Sequence, residues 1–89
     1  LNHIQNIQLV PNQISNVLVC IKSIKDLQTK TNTIYKIIEV IENNTSHLLY
    51  LFENQSLNLT INNFYILEIK ISKQKKYTIN KVLLEIKNE

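Results

Sequence analysis

The sequence contains no glycine, arginine, alanine, methionine or tryptophan among its 89 residues. Without glycine, every tight turn that needs a positive φ must use another residue, and asparagine is the next most tolerant. Asn43-Asn44 and Asn62-Asn63 are therefore the predicted turn positions. The lack of glycine also excludes the glycine-rich loop that cradles phosphates in nucleotide-binding enzymes.

The lack of arginine removes the side chain that most often reads phosphate and guanine through paired hydrogen bonds. Any nucleic-acid contact must then come from lysine, which acts as a point charge and favours backbone binding with little sequence preference. The formal net charge is +3. Because an AT-rich coding bias also enriches Ile, Asn and Lys, this charge alone does not indicate a nucleic-acid partner.

Cys20 is the only cysteine, so no disulfide can form within the chain, and an intracellular, reducing compartment is expected. It lies in the apolar run VLVCI and is predicted to be a small buried hydrophobe. His3 and His47 have no partner at ligand spacing, so no metal and no cofactor are predicted. We find no nucleophile motif and no paired carboxylates, and therefore do not expect an enzyme. No apolar run approaches membrane-spanning length, so no membrane contact is expected.

Alternating apolar residues predict five β-strands. Three of them are residues 16–27, 33–42 and 47–53, and two more lie within residues 64–87 on either side of a lysine-rich connection. The adjacent Ile37 and Ile38 indicate a bulge in the second strand. The connection at residues 54–63 fits either one helical turn or an extended crossing.

Pro11 interrupts the scattered apolar positions of residues 1–15, which argues against a continuous helix there. We predict that this segment is a short arm that packs on the domain or on a partner. Residues 16–89 are predicted to form one domain.

Closing five antiparallel strands into a barrel buries one face and removes most free edges. The order of the predicted elements, with the longest connection between strands three and four, is that of the five-stranded Greek-key OB-fold barrel. In that barrel ligands bind over strands two and three, between the loop after strand one and the loop after strand four. Those loops are predicted at residues 25–32 and 72–78. They hold half of the ten lysines: Lys25, Lys30, Lys73, Lys75 and Lys76.

Two runs of the sequence resemble the OB domain in the middle subunit of replication protein A. They are NVLVCIKSIKDLQTKTNTIYKIIEVIEN, which is similar to its opening, and SKQKKYTINKVLLEI, which is similar to its last hairpin. Related small single-strand binders and telomere-end proteins end the third strand with an aromatic and then an acidic residue, as in Leu51-Phe52-Glu53. The resemblance covers most of residues 13–87.

The resemblance implies a nuclear subunit of a replication, repair or telomere complex that binds single-stranded DNA, or RNA. Lys36 would extend the cationic track of the loop lysines along strand two. Phe52 matches the position where such proteins place a stacking ring, and Tyr77 is a second candidate beside the basic hairpin. Tyr35 and Tyr50 are further aromatic candidates, although Tyr50 and Tyr65 are assigned to the core by their alternating positions.

An alternative from another class is a non-catalytic OB-fold scaffold subunit that contacts other protein chains. The arm at residues 1–15 would then place Ile4, Ile7 and Val10 against a partner. The clustering of lysine in two loops favours the nucleic-acid hypothesis, since a coding bias should scatter lysine evenly.

Overall fold

The computed structural model describes residues 1–52 and 57–88 and shows an all-β protein. A short 3-10 helix at Ile4–Asn6 precedes the strands, and among the described residues no helix is long and apolar enough to cross a membrane. The five strands are β1 (Ile14–Gln28), β2 (Ile34–Glu42), β3 (Thr45–Phe52), β4 (Phe64–Ile71) and β5 (Tyr77–Ile86).

The strands close into a barrel in the order β1-β2-β3-β5-β4, with β4 pairing back onto β1. All neighbours are antiparallel except β3 and β5, which run parallel. The predicted all-β, five-stranded barrel is therefore confirmed, and its closure is consistent with an OB-fold. Between β3 and β4 the chain is not helical over residues 57–63. Residues 54–56 of the predicted crossing, and Glu53, which was placed in strand three, lie outside the described residues.

β1 takes part in both halves of the barrel, because residues 14–20 pair with β4 and residues 20–28 pair with β2. The register shifts between Ile21 and Ser23, and such a bulge lets a strand bend towards a second partner. The bulge predicted at Ile37 and Ile38 is wrong. β2 keeps its alternation there, with Ile38 fully buried and Ile37 on the outer face.

The barrel interior is filled by aliphatic side chains from all five strands, as the alternating pattern predicts. Tyr65 is the largest fully buried side chain, which confirms its assignment to the core. Its hydroxyl accepts a hydrogen bond from the Thr60 amide at 2.7 Å and donates one to Glu85 Oε2 at 2.6 Å. The buried ring thereby ties the crossing before β4 to the end of β5.

The N-terminal segment packs on the barrel through Ile4, which is fully buried in the core. The Ile4 amide donates to Glu42 Oε1 at 3.0 Å, and the Glu42 side chain is itself only 8% exposed. Ile4 is therefore not available to a partner, whereas Val10 is half exposed. β1 begins at Ile14, so the end of the predicted arm is already part of the sheet.

Asparagine takes the place of glycine at the turns. Asn43 and Asn44 form the two-residue β2–β3 connection with φ of 48° and 63°, the pattern of a type I′ hairpin turn. Asn62 has φ of 74° just before β4, so both predicted turn positions are confirmed. The described residues with positive φ are Asn12, Asn32, Asn43, Asn44, Asn62 and Lys75.

We expect Glu42→Ala to lower the free energy of unfolding by about 1–3 kcal/mol, because the buried Ile4 amide would lose its acceptor. Urea denaturation at neutral pH measures the loss. Glu42→Gln keeps an acceptor oxygen and should recover most of the stability. Equal losses in the two variants would show that this hydrogen bond does not hold the N-terminal segment.

A second prediction concerns acid stability. The hydrogen bond from Tyr65 holds the pKa of Glu85 below its ordinary value of 4.5, and Asn63 and Lys87 act in the same direction. Because the folded-state pKa is lowered, the carboxylate stabilises the fold above its unfolded pKa, and this contribution is lost as pH falls through the folded pKa. In Tyr65→Phe this contribution is absent, so the free energy of unfolding should fall less as the pH is lowered below 4.5 than it does in the unsubstituted protein. Urea unfolding across this range, with Tyr35→Phe as the control, tests it, and identical profiles for Tyr65→Phe and the unsubstituted protein would contradict it.

Candidate nucleic-acid interface

Three aromatic rings lie together on the outer face of β2 and β3. Tyr35 is opposite Phe52 in the ladder, and Tyr50 is two residues earlier on β3. The ring centroids of Tyr35 and Tyr50 are 6.3 Å apart with the planes 16° from parallel, and those of Tyr35 and Phe52 are 6.2 Å apart at 33°. These separations are typical of contacting aromatic pairs. The three side chains, here called the ring cluster, therefore form one continuous surface.

The outward position of the rings follows from the phase of β3. Leu49 and Leu51 point into the barrel and are buried, so Tyr50 and Phe52 must point outwards. The assignment of Tyr50 to the core is therefore wrong. The alternation of β3 could have predicted the outward position, because Tyr50 is two residues from both Leu48 and Phe52, which are exposed.

The loop between β1 and β2, residues 29–33, adjoins one side of the ring cluster. Thr29 accepts a hydrogen bond from the Asn32 amide through its carbonyl oxygen at 3.0 Å and one from the Thr33 amide through its hydroxyl at 3.0 Å. The Thr29 amide donates in turn to the Thr33 carbonyl at 2.9 Å. This closed turn presents the exposed Lys30 at its tip, beyond the end of the ladder in which Leu27 pairs with Tyr35.

The loop between β4 and β5, residues 72–76, adjoins the other side and has the same hydrogen bonds. Ser72 accepts from the Lys75 amide through its carbonyl at 2.9 Å and from the Lys76 amide through its hydroxyl at 3.1 Å. The Ser72 amide donates to the Lys76 carbonyl at 2.9 Å. Lys73 corresponds to Lys30 of the first loop. The two segments are called the basic loops below.

The second basic loop touches the ring cluster directly. Lys76 Nζ lies 5.8 Å from the centroid of the Tyr50 ring, within the range of a cation–π contact. Thr78, two residues later, is the position of β5 that pairs with Tyr50. Ammonium groups and aromatic faces are thus adjacent, as a ligand with both phosphates and flat rings requires.

The lysines of the basic loops are exposed, and no carboxylate of residues 1–52 or 57–88 forms an ion pair with them. Lys25 is not in a loop, contrary to the prediction, because β1 continues to Gln28. It lies on the outer face of β1, opposite Ile37 and in the same row as Tyr50. Lys25 is therefore part of the basic surface, but it lies on a strand and not in a loop.

Lys36, which was predicted to extend the cationic track, is not brought together with the ring cluster. Strand alternation places it on the face of β2 opposite to Tyr35. Asp26 of β1 pairs with Lys36 in the β1–β2 ladder, and its Oδ1 is 2.9 Å from the Lys36 Nζ. The ammonium group is thus partly neutralised by Asp26.

Tyr77 is also apart from the ring cluster. It pairs with the buried Ile71 at the start of β5 and packs partly against the core. Its ring faces the interior side of the strand, so of the two predicted stacking rings only Phe52 joins the candidate surface. The alternation of β5 could have predicted this position, because Tyr77 is two residues from the buried Ile79 and so points to the same side of the strand.

Glu39 ends the candidate surface on β2. The Ser46 hydroxyl holds the pKa of Glu39 below its ordinary value, and Lys22 and Ser23 add to this effect. The side chain therefore remains a carboxylate near neutral pH. It pairs with Lys22, whose Nζ is 3.7 Å from Glu39 Oε2, so the lysine charge at this point of the sheet is partly neutralised.

A second exposed surface lies on the outer face of β1, β4 and β5. One row joins Leu18, Ile66 and Leu84, and the next joins Cys20, Phe64 and Ile86. We call these six residues the apolar patch. Cys20, which was predicted to be buried, is only partly buried within this patch.

Among residues 1–52 and 57–88, no three His, Cys, Asp or Glu side chains lie close enough to hold a metal ion. Comparison with protein-family models and with curated proteins gave no match to this chain. The chemistry of the two exposed surfaces is therefore what indicates a function.

Proposed function

We propose that this protein binds single-stranded DNA with little sequence preference, as a replication protein A-like OB-fold subunit of a replication, repair or telomere complex. The ring cluster between the two basic loops is the observation that carries the proposal. Bases can stack on Tyr35, Tyr50 and Phe52 whatever their identity, because every base has a π face. The lysines around the rings neutralise the phosphates that connect those bases.

Single-stranded ligands suit this surface better than a duplex. Stacking on the ring cluster requires unpaired bases with exposed faces, and a duplex hides those faces between neighbouring pairs. Reading a duplex through its major groove usually needs a protruding helix or β-ribbon with arginine or amide side chains. The candidate surface carries no helix among its described residues, and the sequence contains no arginine.

The same chemistry sets the strength of binding. A stacked base contributes about 1–3 kcal/mol, as judged from alanine substitution. Each lysine–phosphate contact on a single strand changes the slope of log K against log salt by about −0.7. With three rings and a handful of lysines, the proposed complex has modest affinity and depends strongly on ionic strength.

The charge contribution is tested by reversing lysines in the second basic loop. We expect Lys73→Glu/Lys76→Glu to weaken binding of a fluorescein-labelled oligothymidine by about tenfold or more at low salt and to make the salt slope shallower by at least about 1.4. Fluorescence anisotropy at several salt concentrations gives both quantities.

Lys81→Glu/Lys87→Glu is the matched control, since it changes the net charge equally, within β5 at Lys81 and just after β5 at Lys87, away from the second basic loop. Equal losses of affinity in the two double variants would show that binding depends on net charge alone and not on the second basic loop. Absence of binding by the unsubstituted protein at low salt would overturn the proposed function.

The stacking contribution is tested with two phenylalanines of similar exposure. Phe52 is 38% exposed in the ring cluster, and Phe64 is 40% exposed in the apolar patch. Phe52→Ala should weaken oligothymidine binding by about 1–3 kcal/mol, because one stacking face is lost. Phe64→Ala should leave affinity unchanged. Affinity that responds equally to both, or to neither, would argue against base stacking on β3.

The alternative function is that of an OB-fold scaffold subunit that binds other protein chains, and the apolar patch favours it. Leu84 and Ile86 are 48% and 45% exposed, and contiguous exposed apolar side chains mark protein contacts. Ile4, which was predicted to reach a partner, is in the core and makes no contribution. Loss of Phe64 affecting assembly but not DNA binding would assign the two roles to separate surfaces.

A further inference from the structure

Lys75 is exceptional among the residues that adopt positive φ. Five of the six such residues in the described chain are asparagine, and Lys75 is the sixth, with φ of 61°. A side chain such as lysine is disfavoured in this region, which asparagine enters more readily. Among the described residues, lysine instead of asparagine takes a left-handed position only in the second basic loop.

Nothing within the loop requires lysine at this position. The hydrogen bonds that close residues 72–76 use the backbone amide of Lys75 and the backbone and hydroxyl of Ser72, so the ammonium group takes no part. The first basic loop has the same bonds with Asn32 in the equivalent position, at φ of 66°. Asparagine therefore fits this loop geometry, and lysine costs stability.

We propose that Lys75 is a principal phosphate-contacting residue of the surface, retained for its charge at a position where asparagine would give a more stable fold. This inference rests on the proposed function and adds that the two loops contribute unequally. The left-handed position is cationic in the loop beside Tyr50 and neutral in the loop beside Tyr35. The stronger phosphate contact is therefore made on the β4–β5 side of the ring cluster.

The test compares two asparagine substitutions in the same loop. Lys75→Asn removes one charge and relieves the backbone, whereas Lys73→Asn removes one charge where φ is not positive. Lys75→Asn should raise the melting temperature by a few degrees. It should also weaken oligothymidine binding more than Lys73→Asn does and make the salt slope shallower by about 0.7.

The reciprocal variant places a lysine at the left-handed position of the first basic loop. Asn32→Lys should steepen the salt slope, because it adds a charge at the equivalent left-handed position. It should also lower the melting temperature, because lysine is disfavoured at positive φ and the hydrogen bond that Gln28 Nε2 donates to Asn32 Oδ1 at 3.1 Å is lost. If Lys75→Asn raises the melting temperature but loses no more affinity than Lys73→Asn, the proposal for Lys75 is overturned while the DNA-binding function stands. If the unsubstituted protein does not bind oligothymidine at low salt, the proposed function itself fails.

Discussion

The structure depends on the bend of β1, which pairs with β4 over its first half and with β2 over its second. The register shift between Ile21 and Ser23 allows one strand to serve both neighbours, and this sharing closes the barrel. Closure divides every strand into an inward and an outward set of side chains. Because so small a barrel can bury only the inward set of each strand, the outward apolar and aromatic side chains of the strands lie on the surface.

That division produces two unlike surfaces. On β2 and β3 the outward set contains the ring cluster, which lies between two loops of lysines without ion pairs among the described residues. On β1, β4 and β5 it contains the apolar patch, around Phe64 and Leu84. The first combines charge with flat rings and suits nucleic acid, whereas the second has the character of a protein contact. One small domain can thus support both of the proposed roles without conflict.

Because the sequence has no glycine, the left-handed positions of the described turns are taken by asparagine and, in one loop of the proposed binding surface, by lysine. Asparagine occupies the turn between β2 and β3 and the equivalent position of the first basic loop. Lysine occupies that position in the second basic loop, where the backbone is less favourable for it. Residues held in such conformations are often found at functional sites, because the surrounding structure bears the cost. The second basic loop meets this description, with Lys76 beside Tyr50 and Lys75 left-handed.

Much of the fold could be predicted because it follows from local rules. A period of two in apolar residues indicates strands, Asn-Asn pairs replace glycine at turns, and the lengths of the connections suggest a barrel. The loop positions of Lys30, Lys73, Lys75 and Lys76 follow from the same pattern. Phe52 was placed on the candidate surface by resemblance, and the structure brings it next to Tyr35.

The sequence alone therefore determined which residues form strands and turns, because these depend on neighbours a few positions away. Only the tertiary structure decided which side chains meet. Lys36 forms an ion pair with Asp26 of β1, and Tyr50 of β3 contacts the Tyr35 ring of β2. Ile4 lies in the core, and its amide donates to Glu42 at the end of β2. Each of these contacts joins residues on different strands or segments, so the physical reason lies in register and closure.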